Sequence, residues 1–597
     1  MKVDWHTQLS SSMIWLLKAF CITVVAGTAA TTLLINRTQW GRQFWRLAGP
    51  YLHPRNSWRP LATLALLLLL TLASVRMTVL FSFWYNGFYS SLQALDITSF
   101  WRYLAIFAVL ASLHIMRSLV DSYVGQAFDI RLRQWLTGRL MTDWLDGRAY
   151  YRDHFLAAPA DNPDQRIELD IANFAISSRS LAFGAVNAVV SLLEFTVILW
   201  GLSGVMHLAG LDIPKGIVFA VYLYVIIATL FAFRIGRPLI QLSFMKERLS
   251  ANFRYALVRL RDNAESIAFY QGEATEGRAL GHRFRMLIAN AWQLVFRGLK
   301  FDGFNLSVSQ LAVVFPFIVQ APRFFSGAIK LGDVIQTAQA FGQVQDALSF
   351  FRTSYDSFAQ YRATLQRLNG FLDTNEAARA LPTVLTRDNP ARLRVADLHL
   401  DSPDGSSLLS GLNLSLEPGQ SLLIQGQSGI GKTTLLRSLA GLWPYAQGEV
   451  ERPTRERALF LSQRPYLPLG NLREAIAYPA AGDPAQDMRL HAILEQVCLA
   501  HLSKRLDEDT DWSRVLSLGE QQRIAFARVL LNQPAIVFLD EATSALDEGL
   551  EAAMYTLLRR QLPASILVSV GHRNTLTAFH THSLRLTAED WQLSKNR

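Results

Sequence analysis

The residues best suited to chemistry lie in one run, Gly426-Gln427-Ser428-Gly429-Ile430-Gly431-Lys432-Thr433-Thr434. Its glycines let backbone N–H groups fold around phosphate oxygens, and the N-terminus of the helix that follows adds positive potential. Lys432 is then placed to reach β- and γ-phosphates, and the Thr433 hydroxyl to ligate Mg²⁺. The context fits: strand-like Ser421–Gln425 precedes the run and helical Leu435–Leu442 follows it. Downstream, Ile536-Val-Phe-Leu-Asp540-Glu541 is an apolar strand ending in two carboxylates. Asp540 suits a Mg²⁺-linked acid, and Glu541 a base or polariser for an attacking water. Gln463 and His572 each follow a strand-like run. Alone, either is more simply read as structural. In order behind a phosphate-binding loop they become γ-phosphate-side contacts, with Gln463 also within reach of the metal. Together these residues spell nucleoside triphosphate hydrolysis with ATP and Mg²⁺.

A further motif narrows the reading. Leu516-Ser517-Leu518-Gly519-Glu520-Gln521-Gln522-Arg523, upstream of the Asp540 strand, resembles the signature of ATP-binding-cassette proteins. Ser544-Ala545-Leu546-Asp547 resembles the D-loop of that family, and Gln463 and His572 match its Q-loop and switch histidine. The resemblance implies that the signature of one subunit completes the ATP site of another, so one cassette per chain implies a homodimer. Ser517 and the Gly519 backbone would then face phosphate from a helix N-terminus, with Glu520 beside them. Two departures stand out. Leu518 and Glu520 replace a Gly and a Gln of the usual signature, and Leu400-Asp-Ser-Pro-Asp-Gly405 offers no aromatic ring on which adenine could stack.

The elements that must position these groups change character along the 597 residues. Half the residues are hydrophobic, only 18% are charged, and mean hydropathy is +0.17. A soluble protein usually carries about 25% charged residues, so part of the chain belongs in a membrane. About 20 apolar residues cross a bilayer as a helix. Candidate spans are Met13–Ile35, Leu61–Phe83, Leu104–Val124, Leu181–Met206, Ile217–Ile235, Val308–Val319 with its flanks, and Leu331–Phe351. That is one extra N-terminal helix and a core of about six. The net charge of +10 would also suit a nucleic-acid partner. The basic residues instead gather in alternate loops, as on the cytoplasmic side of a membrane, so no nucleic acid is expected. The N-terminal run is too long for a cleaved signal. Cys21 and Cys498 lie in unlike surroundings and predict no disulfide. The divisions expected are an extension over 1–58, a transmembrane domain over 59–372, a polar linker over 373–392 and an α/β P-loop ATPase domain over 393–597, whose alternating runs predict a largely parallel sheet.

The membrane half carries its own resemblance. Asn162-Pro163-Asp164-Gln165-Arg166-Ile167 and Asn263-Ala-Glu265-Ser-Ile-Ala-Phe-Tyr270-Gln-Gly272-Glu273 look like hallmarks of transporters related to the peroxisomal subfamily D and to SbmA/BacA-like proteins, in the cassette-fused YddA type. The likeness runs from about Arg59 to the C-terminus. It implies an exporter-type helical core whose cytoplasmic loops press on the cassettes, with Asn162, Asp164, Arg166 and Glu265 as coupling residues; solvated loop polars are the plainer alternative. Within the spans, Glu194 suits a cavity-lining or protonatable group, or equally a structural partner for Arg76 or Arg117. Gln336, Gln339, Gln343 and Asp346 recur at helical spacing and form a polar stripe, fit for a wet pathway or for bonds between helices. The expectation is an ATPase-driven transporter, multi-pass in a bacterial inner membrane with its ATPase domain cytoplasmic. It would import peptides or cobalamin- or bleomycin-like solutes. Lipid or drug export, and a cassette-gated channel or sensor, remain as alternatives.

Overall fold

Where the periodic apolar runs continue into polar but breaker-poor sequence, helices run far past the width of a bilayer. The computed structural model describes residues 5–55, 57–208, 211–389, 392–454, 457–587 and 590–596. Contacts divide the chain into two units, Met1–Trp144 with Ala160–Asp373, and Leu145–Pro159 with Thr374–Arg597.

The first unit is built on helices α1 (Trp5–Arg37), α2 (Gln39–Leu52), α3 (Arg59–Gln93), α4 (Ile97–Leu145), α5 (Ile171–Leu202), α6 (Gly216–Asp262), α7 (Glu273–Phe325), α8 (Leu331–Thr353) and α9 (Tyr355–Ala380). The tight turn from α1 to α2 needs Gly41: a Cβ there would collide with the Leu34 carbonyl. The Thr38 hydroxyl caps α2, accepting from the Gly41 amide at 3.1 Å. α6 and α7 contain 47 and 53 residues, about 70 and 80 Å at 1.5 Å per residue, against a hydrocarbon layer of about 30 Å. Among the described residues, six helical segments are long and apolar enough to cross a membrane: Thr7–Arg37, Arg59–Gln93, Ile97–Phe155, Pro163–Leu202, Gly216–Asp262 and Glu273–Phe325. The seventh expected span, Leu331–Phe351, is a helix, α8, but does not join that set. Its buried Gln336, Thr337, Gln345 and Ser349 lower its hydropathy. It packs instead against α3, α5, α6 and α7, where polar groups find protein partners.

The second unit is an α/β domain. A six-stranded sheet runs in the order Trp591–Lys595, His582–Leu586, Ser421–Gln425, Ile566–Val570, Ile536–Asp540, Ala458–Leu461, and only the first of these is antiparallel to its neighbour. Both faces of the central strands are covered, which is why they read as unbroken apolar runs. Leu422, Ile424, Phe538 and Val568 pack to one side. Leu423, Val537, Leu539 and Leu567 pack to the other, with Ile524 and Phe526 of helix Leu518–Asn532. A second sheet joins Leu385–Asp388, Ala446–Arg452, Leu393–Asp401 and Ser407–Leu416. Among the described residues of the polar stretch 373–392, α9 continues to Ala380, and Leu385–Asp388 pairs with Ala446–Arg452.

Candidate nucleotide site and membrane pathway

The loop 426–431 joins a central strand of the parallel sheet to helix Lys432–Leu439. Gly429 and Gly431 hold φ of +84° and +99°, left-handed values that favour glycine. At Gly426 a Cβ would sit 2.7 Å from the Leu586 carbonyl oxygen. The Lys432 ammonium folds back into the loop and donates to the carbonyls of Gly426 at 2.9 Å and Gln427 at 2.8 Å. Burial pulls its pKa down, with Glu541 and Asp540 pulling it up. The Thr433 hydroxyl donates to Asp540 Oδ1 at 3.1 Å, which brings the two expected metal-side groups together. Burial pushes the Asp540 carboxyl above its ordinary range, the Thr433 bond opposes that, and the neighbouring Glu541 charge adds to it. Adjacent carboxylates in a half-buried site beside a hydroxyl form an all-oxygen donor set that suits a hard divalent cation such as Mg²⁺.

Glu541 follows the strand end with φ of +50°, left-handed for a non-glycine residue. The turn places its carboxylate between two partners. His572 Nε2 lies 3.0 Å from Oε1, and Gln463 Nε2 donates to Oε2 at 3.3 Å. Three parallel strands of one sheet thus deliver the three residues that sequence order alone had associated.

Ser517 is the N-cap of helix Leu518–Asn532. Its hydroxyl accepts from the Glu520 amide at 3.3 Å, while Glu520 Oε2 accepts from the Ser517 amide at 3.0 Å and hydroxyl at 2.8 Å. This is a reciprocal capping box, and it gives Glu520 a job where the usual signature has Gln. Burial alone would raise the Glu520 pKa, but the bonds from Ser517 and the nearby His501 and Arg523 charges hold it below its ordinary value. Gly519 lies against the D-loop, where a Cβ would be 3.2 Å from the Ala545 carbonyl oxygen. In the sequence Gln522 is one polar residue of the signature run. In the structure it is fully buried. Its Nε2 donates to the Gln463 carbonyl at 2.9 Å and the Ser544 hydroxyl at 3.2 Å, and its Oε1 accepts from the Ala545 amide at 3.1 Å. One amide therefore ties the signature helix to the Q-loop and the D-loop. A polar residue on the apolar face of its helix was the available signal.

Two family models match the chain: "ABC transporter transmembrane region 2" over residues 47–325 and "ABC transporter" over residues 409–544. An "Uncharacterized ABC transporter ATP-binding protein" of Haemophilus influenzae is 46% identical over 99% of this chain and 100% of its own length. The chain is an ABC transporter. Other relatives of this transporter include the "Inner membrane ABC transporter ATP-binding protein YddA" of Escherichia coli, 32% identical over 88% of this chain and 94% of its own. The "Lysosomal cobalamin transporter ABCD4" of Homo sapiens is 28% identical over 85% of this chain and 89% of its own. Among solved structures, a bacterial Atm1-family ABC exporter with ATP bound matches with a TM-score of 0.71 at 19% identity, over 90% of this chain and 95% of that one. The transporter thus joins an exporter-type helical domain to an ATP-binding cassette, as the motifs implied, and it is a multi-pass membrane protein.

Of the expected coupling residues of the transporter, Arg166 bonds Asp170 at 3.1 Å, and Arg367 grips the same buried carboxylate at 2.6 and 2.8 Å. Asn162 takes a left-handed conformation ahead of a short turn and donates to Asp161. Asp164 and Glu265 are exposed. The segment that clusters with the cassette lies just upstream. Arg148 donates to the carbonyls of Ala440 at 3.1 Å and Gly441 at 3.2 Å. Arg152 bonds the carbonyls of Leu381 and Pro382. Phe155 sets its ring edge-on to Trp443 at 5.2 Å and accepts from the Tyr445 hydroxyl at 3.2 Å. No motif marked these residues in the sequence, because their role depends on which turn of the loop meets the sheet.

Of the membrane residues, Glu194 is met by the extra N-terminal helix: Trp15 Nε1 donates to Oε1 at 2.8 Å. Arg76 lies over the Trp15 ring, 5.6 Å from its centroid, and donates to the Ser12 hydroxyl at 2.8 Å. α1 thus brings its own polar side chains to the two charged residues. Gln336 accepts from Asn86 at 2.7 Å, and Asn86 also donates to Asp333 at 2.9 Å. Gln339 and Gln343 are half-buried further along the same helix, and Asp346 is exposed.

Proposed function

We propose that two copies of this chain form an ATP-hydrolysing transporter in a bacterial inner membrane, with both cassettes on the cytoplasmic side. The observation that carries the hydrolytic part is the Glu541 carboxylate held between His572 and Gln463, beside the loop that encloses Lys432. Thr433, Asp540 and Gln463 would hold Mg²⁺, which when bound neutralises charge on the β- and γ-phosphate oxygens. Lys432 and the loop amides grip phosphate. Glu541 draws the proton from the attacking water, and His572 keeps that carboxylate aimed. Ser517 and Gly519, at the capped start of a helix, offer backbone N–H groups to the γ-phosphate bound by the other copy. The loops around Arg148–Phe155, Asn162–Arg166 and Glu265 carry the motion to the spans, and the stripe on α8 with Glu194 borders the path of the cargo.

The cargo is a peptide or a cobalamin- or bleomycin-like solute, moved inward. The likeness to a lysosomal cobalamin transporter supports the first part, and the polar stripe of α8 suits a large hydrophilic solute. Purified full-length protein should show vanadate-sensitive ATPase activity that Glu541→Gln lowers by about 10²–10⁴-fold, the usual worth of a general base, with ATP still bound. Absence of turnover in the wild type refutes pumping. In sealed inverted vesicles, ATP-dependent release of labelled cobalamin or of a Pro-rich peptide marks import, whereas ATP-dependent uptake of a drug or lipid probe marks export.

A further inference from the structure

A buried carboxylate behind the nucleotide site ties together the segments that present Glu541 and His572. Glu551 lies in the first turn of helix Glu548–Gln561, which Asp547 caps by accepting from the Leu550 amide at 2.8 Å. A helix N-terminus favours a carboxylate there, yet this one is only 3% exposed. Its two oxygens take different partners. Oε1 accepts from the hydroxyl of Thr543, two residues after Glu541. Oε2 accepts from Arg573, the residue after His572, at 3.3 Å. The other amino group of Arg573 donates to the Leu546 carbonyl, in the D-loop, at 3.0 Å.

These bonds close a circuit. Glu541 meets His572 at 3.0 Å, the chain runs one residue on to Arg573, Arg573 crosses to Glu551, Glu551 to Thr543, and Thr543 leads back to Glu541. The two loops leave the ends of neighbouring parallel strands, Ile536–Asp540 and Ile566–Val570. The Glu551–Arg573 bridge is the second tie between them. The His572 side chain is half exposed, so water offers it other positions, and the circuit narrows that choice. Stability gives little reason for a charge at Glu551. Desolvating such a pair is costly, and packed apolar side chains in its place are often neutral or stabilising. Its geometry, in contrast, bears directly on the spacing of Glu541 and His572.

We propose that Glu551 and Arg573 are positioning residues for ATP hydrolysis, holding His572 within hydrogen-bonding distance of Glu541 and fixing the D-loop to that pair. The inference rests on the roles of Glu541 and His572 given above. Full-length protein in detergent is assayed for turnover and, separately, for ATP binding. Arg573→Gln should lower kcat by about tenfold or more, since a small misplacement of a catalytic group is costly. ATP affinity should stay within about twofold, because the grip on triphosphate belongs to Lys432 and its loop. Arg573→Lys keeps a charged donor and should recover much of the rate. Combined with His572→Ala, Arg573→Gln should slow turnover no further than His572→Ala alone, because it acts through the imidazole. An ion pair that only supports the fold predicts additive losses and a fall in ATP affinity. Either of those results, or a kcat for Arg573→Gln within about twofold of wild type, overturns the proposal. Glu551→Gln keeps the size of the side chain and carries the same comparison if Arg573→Gln does not fold. A wild type without turnover removes the Glu541 reading and this inference with it, whereas additive losses in an active protein remove the inference alone.

Discussion

Replacing Gln522 by Ala should uncouple three loops without unfolding the cassette. The side chain is fully buried and makes three hydrogen bonds: two from Nε2, to the Gln463 carbonyl and the Ser544 hydroxyl, and one to Oε1 from the Ala545 amide. At about 1 kcal/mol net each, the direct loss is about 3 kcal/mol, and a buried group left without a partner costs a further 1–3 kcal/mol unless it reaches water. Domains of this kind hold about 5–15 kcal/mol in reserve, so the fold survives while the loops open locally. Hydrogen exchange of the Ala545 amide reports the change directly, because that proton is the one Oε1 accepts. A local loss of about 2 kcal/mol corresponds to about 30-fold faster exchange. The Gln463 backbone is released at the same time, so the Gln463 side-chain amide loses its fixed approach to Glu541. ATP turnover should fall by about tenfold or more, since a small misplacement of a catalytic group is costly. Exchange at residues 544–546 and turnover both within twofold of wild type would refute the claim that this amide holds the loops.

Three further substitutions test separate contacts. Glu520→Gln should flatten the acid side of the stability profile. The folded pKa of Glu520 lies below its unfolded value, near 4.3, so its contribution is present above that value and lost as pH falls through the folded one. Wild type should therefore lose more stability than Glu520→Gln between about pH 5 and pH 3, and parallel acid-unfolding curves contradict this. Trp15→Phe keeps the ring contact but removes the donor to Glu194. It should cost about 1–3 kcal/mol, read as a lower melting temperature of the detergent-solubilised chain, and an unchanged melting temperature rules against the docking of α1. Arg148→Ala removes a charged donor from the Ala440 and Gly441 carbonyls, each bond worth about 1.5–3 kcal/mol. Limited proteolysis within residues 145–159 should accelerate by an order of magnitude, and equal cleavage rates would mean the segment is held by other contacts.

The phosphate loop and the Asp540-Glu541 strand were legible because backbone chemistry fixes both residue type and spacing there. The alternation of strands and helices was legible for the same reason: central strands covered on both faces must be apolar throughout. Glu520 was readable in principle, since Ser-x-x-Glu before a helix is a capping signature, but as a departure from a family pattern it drew attention to phosphate rather than to the helix end. Gln522 was not readable, because its three partners come from three segments that only the folded sheet assembles. The membrane half was legible in its apolar runs and less so at its polar positions. Hydropathy cannot tell whether Glu194 faces water or a neighbour, and its partner Trp15 lies 179 residues away. α8 shows the opposite limit: a helix enclosed by protein can afford glutamines that a lipid-facing helix cannot, so apolar content understates it.

The cassette unit is discontinuous in the chain, since it recruits Leu145–Pro159 from between two membrane helices. Expressed from Thr374 onward by itself, it would lack Phe155, and the aromatic faces of Trp443 and Tyr445 would meet solvent. Such a fragment would be prone to self-association. A soluble version for biophysical work would need the missing peptide supplied in trans or grafted back by a tether, and its solubility with and without that peptide would measure how strongly the detached piece belongs to it.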